Sequence, residues 1–462
     1  MGLLDRIVSL VKLGKGATKS ERRGDKGFVP SGEADSAIAL RILVCAFDGP
    51  DGADVASRLS DMLGSLKGTE ILYRKQVLSG GSKGTLLDQL TRADETAADW
   101  LASERAHVCV WGFVNAEADN ITIRFSTLKS DTDSGFGLGD SLVLPFLIDE
   151  DMAKIVHGGA VCAGALAARR KQAILLLGAE VDDIAEYIDA LPRGLEPHQQ
   201  ASSLICIGNI MLGVYQLQGS PGYLHHGLRA LEAATLKADK VSDPLSFALA
   251  QSHMARALQA KASREEGTHS LIAAEDAYKA AADALDPEAH ASDWALVHVR
   301  LGTLIFKRAT RDAEPKILKG AAEALDKALK VYNRKTMPGR WSETMNQMGV
   351  VLLALGGEAA GSKILERSAM AFRKTLEVRK RELAPILWAQ TANNLGAASF
   401  ALAKRSKDPK NLIEAKACFE GAMEVYNEAN QPKKAKIIEK NLHKVERLLN
   451  ATPTPEVTDD QP

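Results

Sequence analysis

Two hydrophobic rhythms divide the chain. Between residues 38 and 148, short apolar runs alternate with stretches of helical spacing. Ala39–Phe47 is a continuous apolar run of strand length, stopped by Asp48-Gly49-Pro50-Asp51-Gly52. Val55, Leu59, Met62, Leu63 and Leu66 then recur as one helix face. Thr69–Leu78 predicts a second strand, Gly80–Gly84 a loop, and Thr85–Ser103 a helix carrying Leu86, Leu87, Leu90, Ala97 and Leu101. Val108–Val114 and Ile121–Leu128 predict a hairpin around Ala118-Asp119-Asn120, because Ile121, Ile123 and Phe125 alternate with Thr122, Arg124 and Ser126. After glycine-rich Gly135–Gly139, Ser141–Phe146 predicts a last strand. The order β-α-β-α-β-β-β implies a small α/β domain with one mixed sheet and helices on one face.

From residue 149 to 450 only helical spacing remains, and it repeats every 47 residues. Trp294, Trp341 and Trp388 lie on this interval, each followed eight residues later by glycine (Gly302, Gly349, Gly396). Earlier equivalents are Phe247 with Ala255 and Gln200 with Gly208. Pro197, Pro244, Pro338, Pro385 and Pro432 share one position, with Ala291 the gap, and Leu224, Leu271, Leu318, Leu365 and Leu412 share another. Each repeat carries two apolar stripes, such as Trp388, Ala392, Leu395, Ser399, Leu402 and then Leu412, Ala415, Phe419, Ala422, Met423, Tyr426. Helix pairs therefore start near Pro197, Pro244, Ser292, Pro338 and Pro385. Asp149–Leu191 is expected as a degenerate pair joining array and sheet, Pro432–Leu449 as a capping helix, and 451–462 as a disordered tail. The fold class expected for the whole chain is α+β: a small mixed-sheet domain followed by an all-α superhelical solenoid.

The array resembles the tetratricopeptide repeat family. The family's first-helix L-G stands here as Ile207-Gly208, Leu301-Gly302, Met348-Gly349 and Leu395-Gly396. Its second-helix small and aromatic positions stand as Ala415, Phe419, Ala422, as Ala274, Tyr278, Ala281, and as Ala321, Leu325, Ala328. The departure is period: the family repeats at about 34 residues, so roughly 13 are added here. Long variants with Trp-Ala-x-Thr-x-Asn-Asn-Leu-Gly, as at Trp388–Gly396, are similar and occur in bacterial proteins. The amino-terminal domain resembles that of TolB through Ile42-Leu43-Val44 to Phe47, Val55-Ala56 with Leu59-Ser60-Asp61 and Leu63, Ala98 with Leu101, and Val110-Trp111-Gly112-Phe113 with Ile121-Thr122-Ile123. That resemblance implies a non-catalytic interaction or regulatory domain.

Composition narrows the function. A net charge of −1 argues against bulk nucleic-acid binding, although Lys363–Asn450 carries 18 Lys and Arg against 10 Asp and Glu. The five cysteines form no C-x-x-C pair and read as buried hydrophobes of a reducing compartment, and the ten histidines are scattered, so neither metal nor cofactor is expected. Residues 1–37 predict a short basic amphipathic segment and a linker, with residues 2–13 able to touch a membrane surface peripherally or to pack as an ordinary helix. No apolar run is long enough to span a bilayer, which sets the expectation of a cytoplasmic protein, at most peripheral to the inner membrane. Gly14-Lys15-Gly16 and Gly80–Gly84 lack the spacing of a phosphate loop. Asp48, Asp51 and Asp54 fit a helix N-terminus better than a metal.

No nucleophile–base–orienter set stands out in sequence, so the expectation is a non-enzymatic scaffold that binds a partner polypeptide in the groove of the array. Its candidate contacts are polar residues outside the apolar stripe of the first helices: His253, Arg300, Glu343, Asn346, Gln347, Gln390, Asn393 and Asn394. His253, Arg300, Gln347 and Asn394 share one repeat position and should form a ladder. The alternative is a regulatory protein whose α/β domain binds a nucleotide or other small ligand, read out by the array.

Overall fold

The computed structural model describes residues 40–81, 86–128, 141–168, 171–265, 267–358 and 362–451. The expected amphipathic segment and linker at 1–37, part of Gly80–Gly84, Gly135–Gly139 and the tail after 451 lie outside them. Contacts divide the chain into two compact units, one within 30–297 and one within 298–462.

In the first unit, β1 (Leu40–Ala46), β2 (Thr69–Val77), β3 (Val108–Asn115), β4 (Asn120–Thr127) and β5 (Leu142–Pro145) form one mixed sheet in the order β2-β1-β3-β4-β5. β1 is parallel to β2 and β3, whereas β3, β4 and β5 run antiparallel in turn. From Ile42 to Ala46, β1 is apolar and buried on both faces, as a central parallel strand covered on both sides must be.

The two crossover helices lie on opposite faces, which corrects the one-face expectation. Helix α1 (Gly52–Gly64) packs Val55, Leu59 and Leu63 with Leu40, Ile42 and Val44 of β1. Helix α2 (Leu86–Glu104) packs Leu90, Ala93, Ala97 and Leu101 with Leu43, Cys45, Cys109 and Trp111. The cause is topological. The chain leaves β1 to one side for β2, then returns past β1 to β3, and two right-handed crossovers in opposite directions must use opposite faces.

Helices α3 (Glu150–Ala168), α4 (Lys171–Glu186) and α5 (Pro197–Gln218) continue the α1 face. Ile155, Val156, Leu177, Ile207 and Ile210 share one core with Ile42 and Ile123. Glycines let α3 settle there: a Cβ at Gly159 would come within 2.8 Å of the Phe125 ring. Residue 148 thus marks a change of architecture inside a continuous core.

Helix pairs follow: α5 with α6 (Pro221–Lys237), α7 (Pro244–Ala262) with α8 (His269–Ala284), α9 (Ala291–Asp312) with α10 (Leu318–Val331), α11 (Pro338–Glu358) with α12 (Lys363–Leu376), and α13 (Pro385–Ser406) with α14 (Pro409–Glu428). Helix α15 (Pro432–Ala451) packs Ile438, Leu442 and Val445 into the last core. Proline opens most of these helices because its missing N–H is an orphan at the first turn anyway. Asp243 and Asp408 cap α7 and α14 by accepting from the Ser246 and Lys410 amides at 3.1 and 2.9 Å. This run of packed helices is what a helical repeat region requires. Among the described residues, no helix is long and apolar enough to cross a membrane, and no group of three or more His, Cys, Asp or Glu is placed to hold a metal ion.

Candidate partner-binding site on the first helices

The repeat glycines set how closely the helices of a pair approach. A Cβ at Gly349 would lie 2.6 Å from Phe372, one at Gly396 2.9 Å from Phe419, one at Gly302 2.8 Å from Leu325, and one at Gly208 2.8 Å from Leu231. The partner is always 23 residues downstream, on the second helix of the same pair. The space is thus given to a large side chain.

Trp341 and Trp388 take part in contacts within their own pairs. A Cβ at Gly421 would come within 2.9 Å of Trp388. Arg381 lies over the Trp388 ring at 5.5 Å and pairs with Glu424 at 3.1 Å, and Arg334 lies over Trp341 at 5.5 Å and pairs with Glu377 at 2.7 Å. Each set clasps the start of a first helix to the end of its second helix. Lys240 over Phe247 at 5.9 Å repeats the stacking. Trp294 is half-buried on α9.

The eight candidate contacts separate into several environments. His253 is fully buried, with Nδ1 2.8 Å from Arg256 Nη1. Asn393 and Asn394 are also buried, which corrects the expectation that they line a solvent-facing groove. Arg300, Asn346, Gln347 and Gln390 are half-buried and Glu343 is exposed. Gln390 makes no hydrogen bond with the described residues.

The second unit joins five of these residues in one polar chain. Gln347 Oε1 accepts from Thr303 Oγ1 at 2.9 Å, while its Nε2 donates to Glu343 Oε1 at 3.3 Å. Glu343 pairs with Arg379, whose Nη1 donates to Thr391 Oγ1 at 3.1 Å. Thr391 Oγ1 in turn lies 3.3 Å from Asn346 Oδ1, which accepts from Asn394 Nδ2 at 3.4 Å, and Asn394 Oδ1 accepts from Asn393 Nδ2 at 3.4 Å. Between Arg300, Gln347 and Asn394 the expected same-position ladder is therefore offset: Asn394 meets Asn346, not Gln347, and Gln347 meets Thr303, not Arg300.

Arg379 is the member that sequence reasoning missed. It is only 5% exposed, and the equivalent positions one repeat away hold Tyr332 and Tyr426. A guanidinium where its counterparts are phenols was the available signal. A buried guanidinium needs a charged partner, so Glu343 is held in place by it.

A second constellation also escaped the sequence. His157, 2% exposed on α3, has Nδ1 3.1 Å from Glu180 Oε2 of α4 and Nε2 3.0 Å from Thr69 Oγ1 of β2. A carboxylate only accepts, so Nδ1 carries a proton and, in the neutral ring, Nε2 accepts from the threonine. That is the hydroxyl–imidazole–carboxylate order of a base-activated nucleophile. Here the ring is enclosed, and the set ties three elements of one core together.

No model of a known protein family matches the chain, and no curated protein matches it significantly.

Proposed function

We propose that the chain is a non-enzymatic scaffold whose tetratricopeptide-like array holds a partner polypeptide against its first helices, with a TolB-like amino-terminal domain as its interaction or regulatory module. The polar chain from Thr303 to Asn394 carries this reading. Polar side chains bonded across α9, α11 and α13 are costly in a helix interface unless each partner is fixed. Once fixed, they form a rigid row, and on α13 the half-buried amide of Gln390 has no hydrogen-bond partner among the described residues. Amides pair with another chain's backbone N–H and C=O without selecting one side chain. The 47-residue period supports the reading, because stacked pairs give a long recognition face.

The test is affinity capture from the native cell with the intact chain. Gln390→Lys is expected to weaken retention of the captured polypeptide about tenfold, or ~1.4 kcal/mol. Glu420→Lys, on the second helix α14, where Glu420 is half-buried and pairs with Lys416 at 3.7 Å, should leave it unchanged. Equal retention by both variants refutes the assignment of the face.

A further inference from the structure

A cavity of about 340 Å³ opens in the first unit, between the turn joining α4 to α5 and the end of α6. About half of its surface is apolar, from Ile188, Leu191, Leu195, Leu204 and Ala233, and the rest is polar, with Gln200 among the lining residues. Its charged lining is Arg193, Lys237 and Asp189. Asp189 is already matched by Arg229, at 2.6 Å. Arg193 and Lys237 form no hydrogen bond or ion pair with the described residues.

The cavity therefore presents two exposed cations without an ion-pair partner among the described residues, beside an apolar patch. Cations next to a low-dielectric surface attract an anion more strongly than the same cations in open solvent. The volume sits at the small end of ligand cavities, about 300–1,000 Å³. It has room for a compact ligand, and the wall calls for an apolar body. A phosphate or other fully polar anion would leave Leu195 and Leu204 unmatched.

We propose that this cavity binds a small aliphatic or aromatic carboxylic acid, its apolar body against Leu195, Leu204 and Ala233 and its carboxylate held by Arg193 and Lys237. Gln200 and Leu204 place the site on α5 in the first unit, and none of the polar chain from Thr303 to Asn394 lines it.

Titration calorimetry on the full chain with octanoate and with octanamide tests it. Octanoate is expected to bind at least tenfold more tightly than the uncharged amide. In the double variant Arg193→Gln, Lys237→Gln that preference disappears; both side chains are exposed, so the fold is retained, as circular dichroism will verify. Ala233→Leu, which fills the wall without changing charge, abolishes binding of both probes. No octanoate binding, equal binding of acid and amide, or octanoate binding indifferent to the double variant and to Ala233→Leu overturns the proposal.

Discussion

At Gly349 a single hydrogen decides whether two helices fit. Phe372 is fully buried, so its ring cannot retreat from a new methyl 2.6 Å away. Overpacking of this kind costs about 1–3 kcal/mol. The helical preference of alanine returns up to about 1 kcal/mol. Gly349→Ala is therefore expected to destabilise by about 1–2 kcal/mol in urea denaturation. Gly339→Ala, which has nothing within 4 Å, should instead gain stability by about 0.5–1 kcal/mol. The buried asparagines give a second residue-scale prediction. Asn393→Asp would place a carboxylate at a position with no exposure, so the variant should lose several degrees of melting temperature. An unchanged melting temperature would show that the side chain reaches water.

Glu414 supplies a pH-dependent contact at the same scale. Burial raises its pKa, but hydrogen bonds from Arg373 and Ser399 more than offset this, and its pKa is lowered overall. A depressed carboxylate stabilises the fold above its unfolded value and loses that contribution as pH falls through the folded one. The bidentate pair to Arg373, 2.7 Å on each arm, is partly exposed and worth roughly 0.5–1 kcal/mol. Glu414→Gln should therefore be less stable than the parent near neutrality, with the gap closing as pH drops below the ordinary carboxylate range, ~4.3. A gap that persists in acid would assign the effect to packing.

Among elements, the helix pairs are the level at which sequence was most informative. Proline at the first turn, glycine facing a large residue 23 positions on, and a cation seven residues before the aromatic all fall on the 47-residue interval. Where the cation is replaced by Pro287, the matching acid is also gone, Lys330 standing where Glu377 and Glu424 stand later. Local periodicity shows such features because both partners lie in one repeat unit. Trp341 is 9% exposed, so Trp341→Ala should cost about 3–5 kcal/mol. Trp388 is half-buried, and its loss should cost less. Equal costs would mean that burial does not govern this position.

What sequence could not show at this level was contact between distant elements. The side of the sheet taken by α2 depends on crossover direction, not on its own residues. The set Thr69, His157 and Glu180 is assembled from a strand and two helices with no shared period. His157→Leu should lower stability by about 1–3 kcal/mol through the two lost hydrogen bonds, measured by thermal unfolding.

At the scale of the whole molecule, the succession of mixed sheet and helix pairs was legible because alternation and helical spacing are distinct periods. The candidate site was legible only in part. The period located the first helices, but it could not separate Asn394, inside the interface, from Gln390, at its edge. Burial at a helix seam depends on the neighbouring repeat, which spacing alone does not reveal.

The central claim is that the first helices receive another polypeptide. A photo-reactive amino acid placed at position 390 and, separately, at position 420 of the intact chain, irradiated in the native cell, tests it most directly. The account predicts a discrete covalent adduct with a second polypeptide from 390 and none from 420. Adducts of equal yield from both positions, or none from 390, would contradict it.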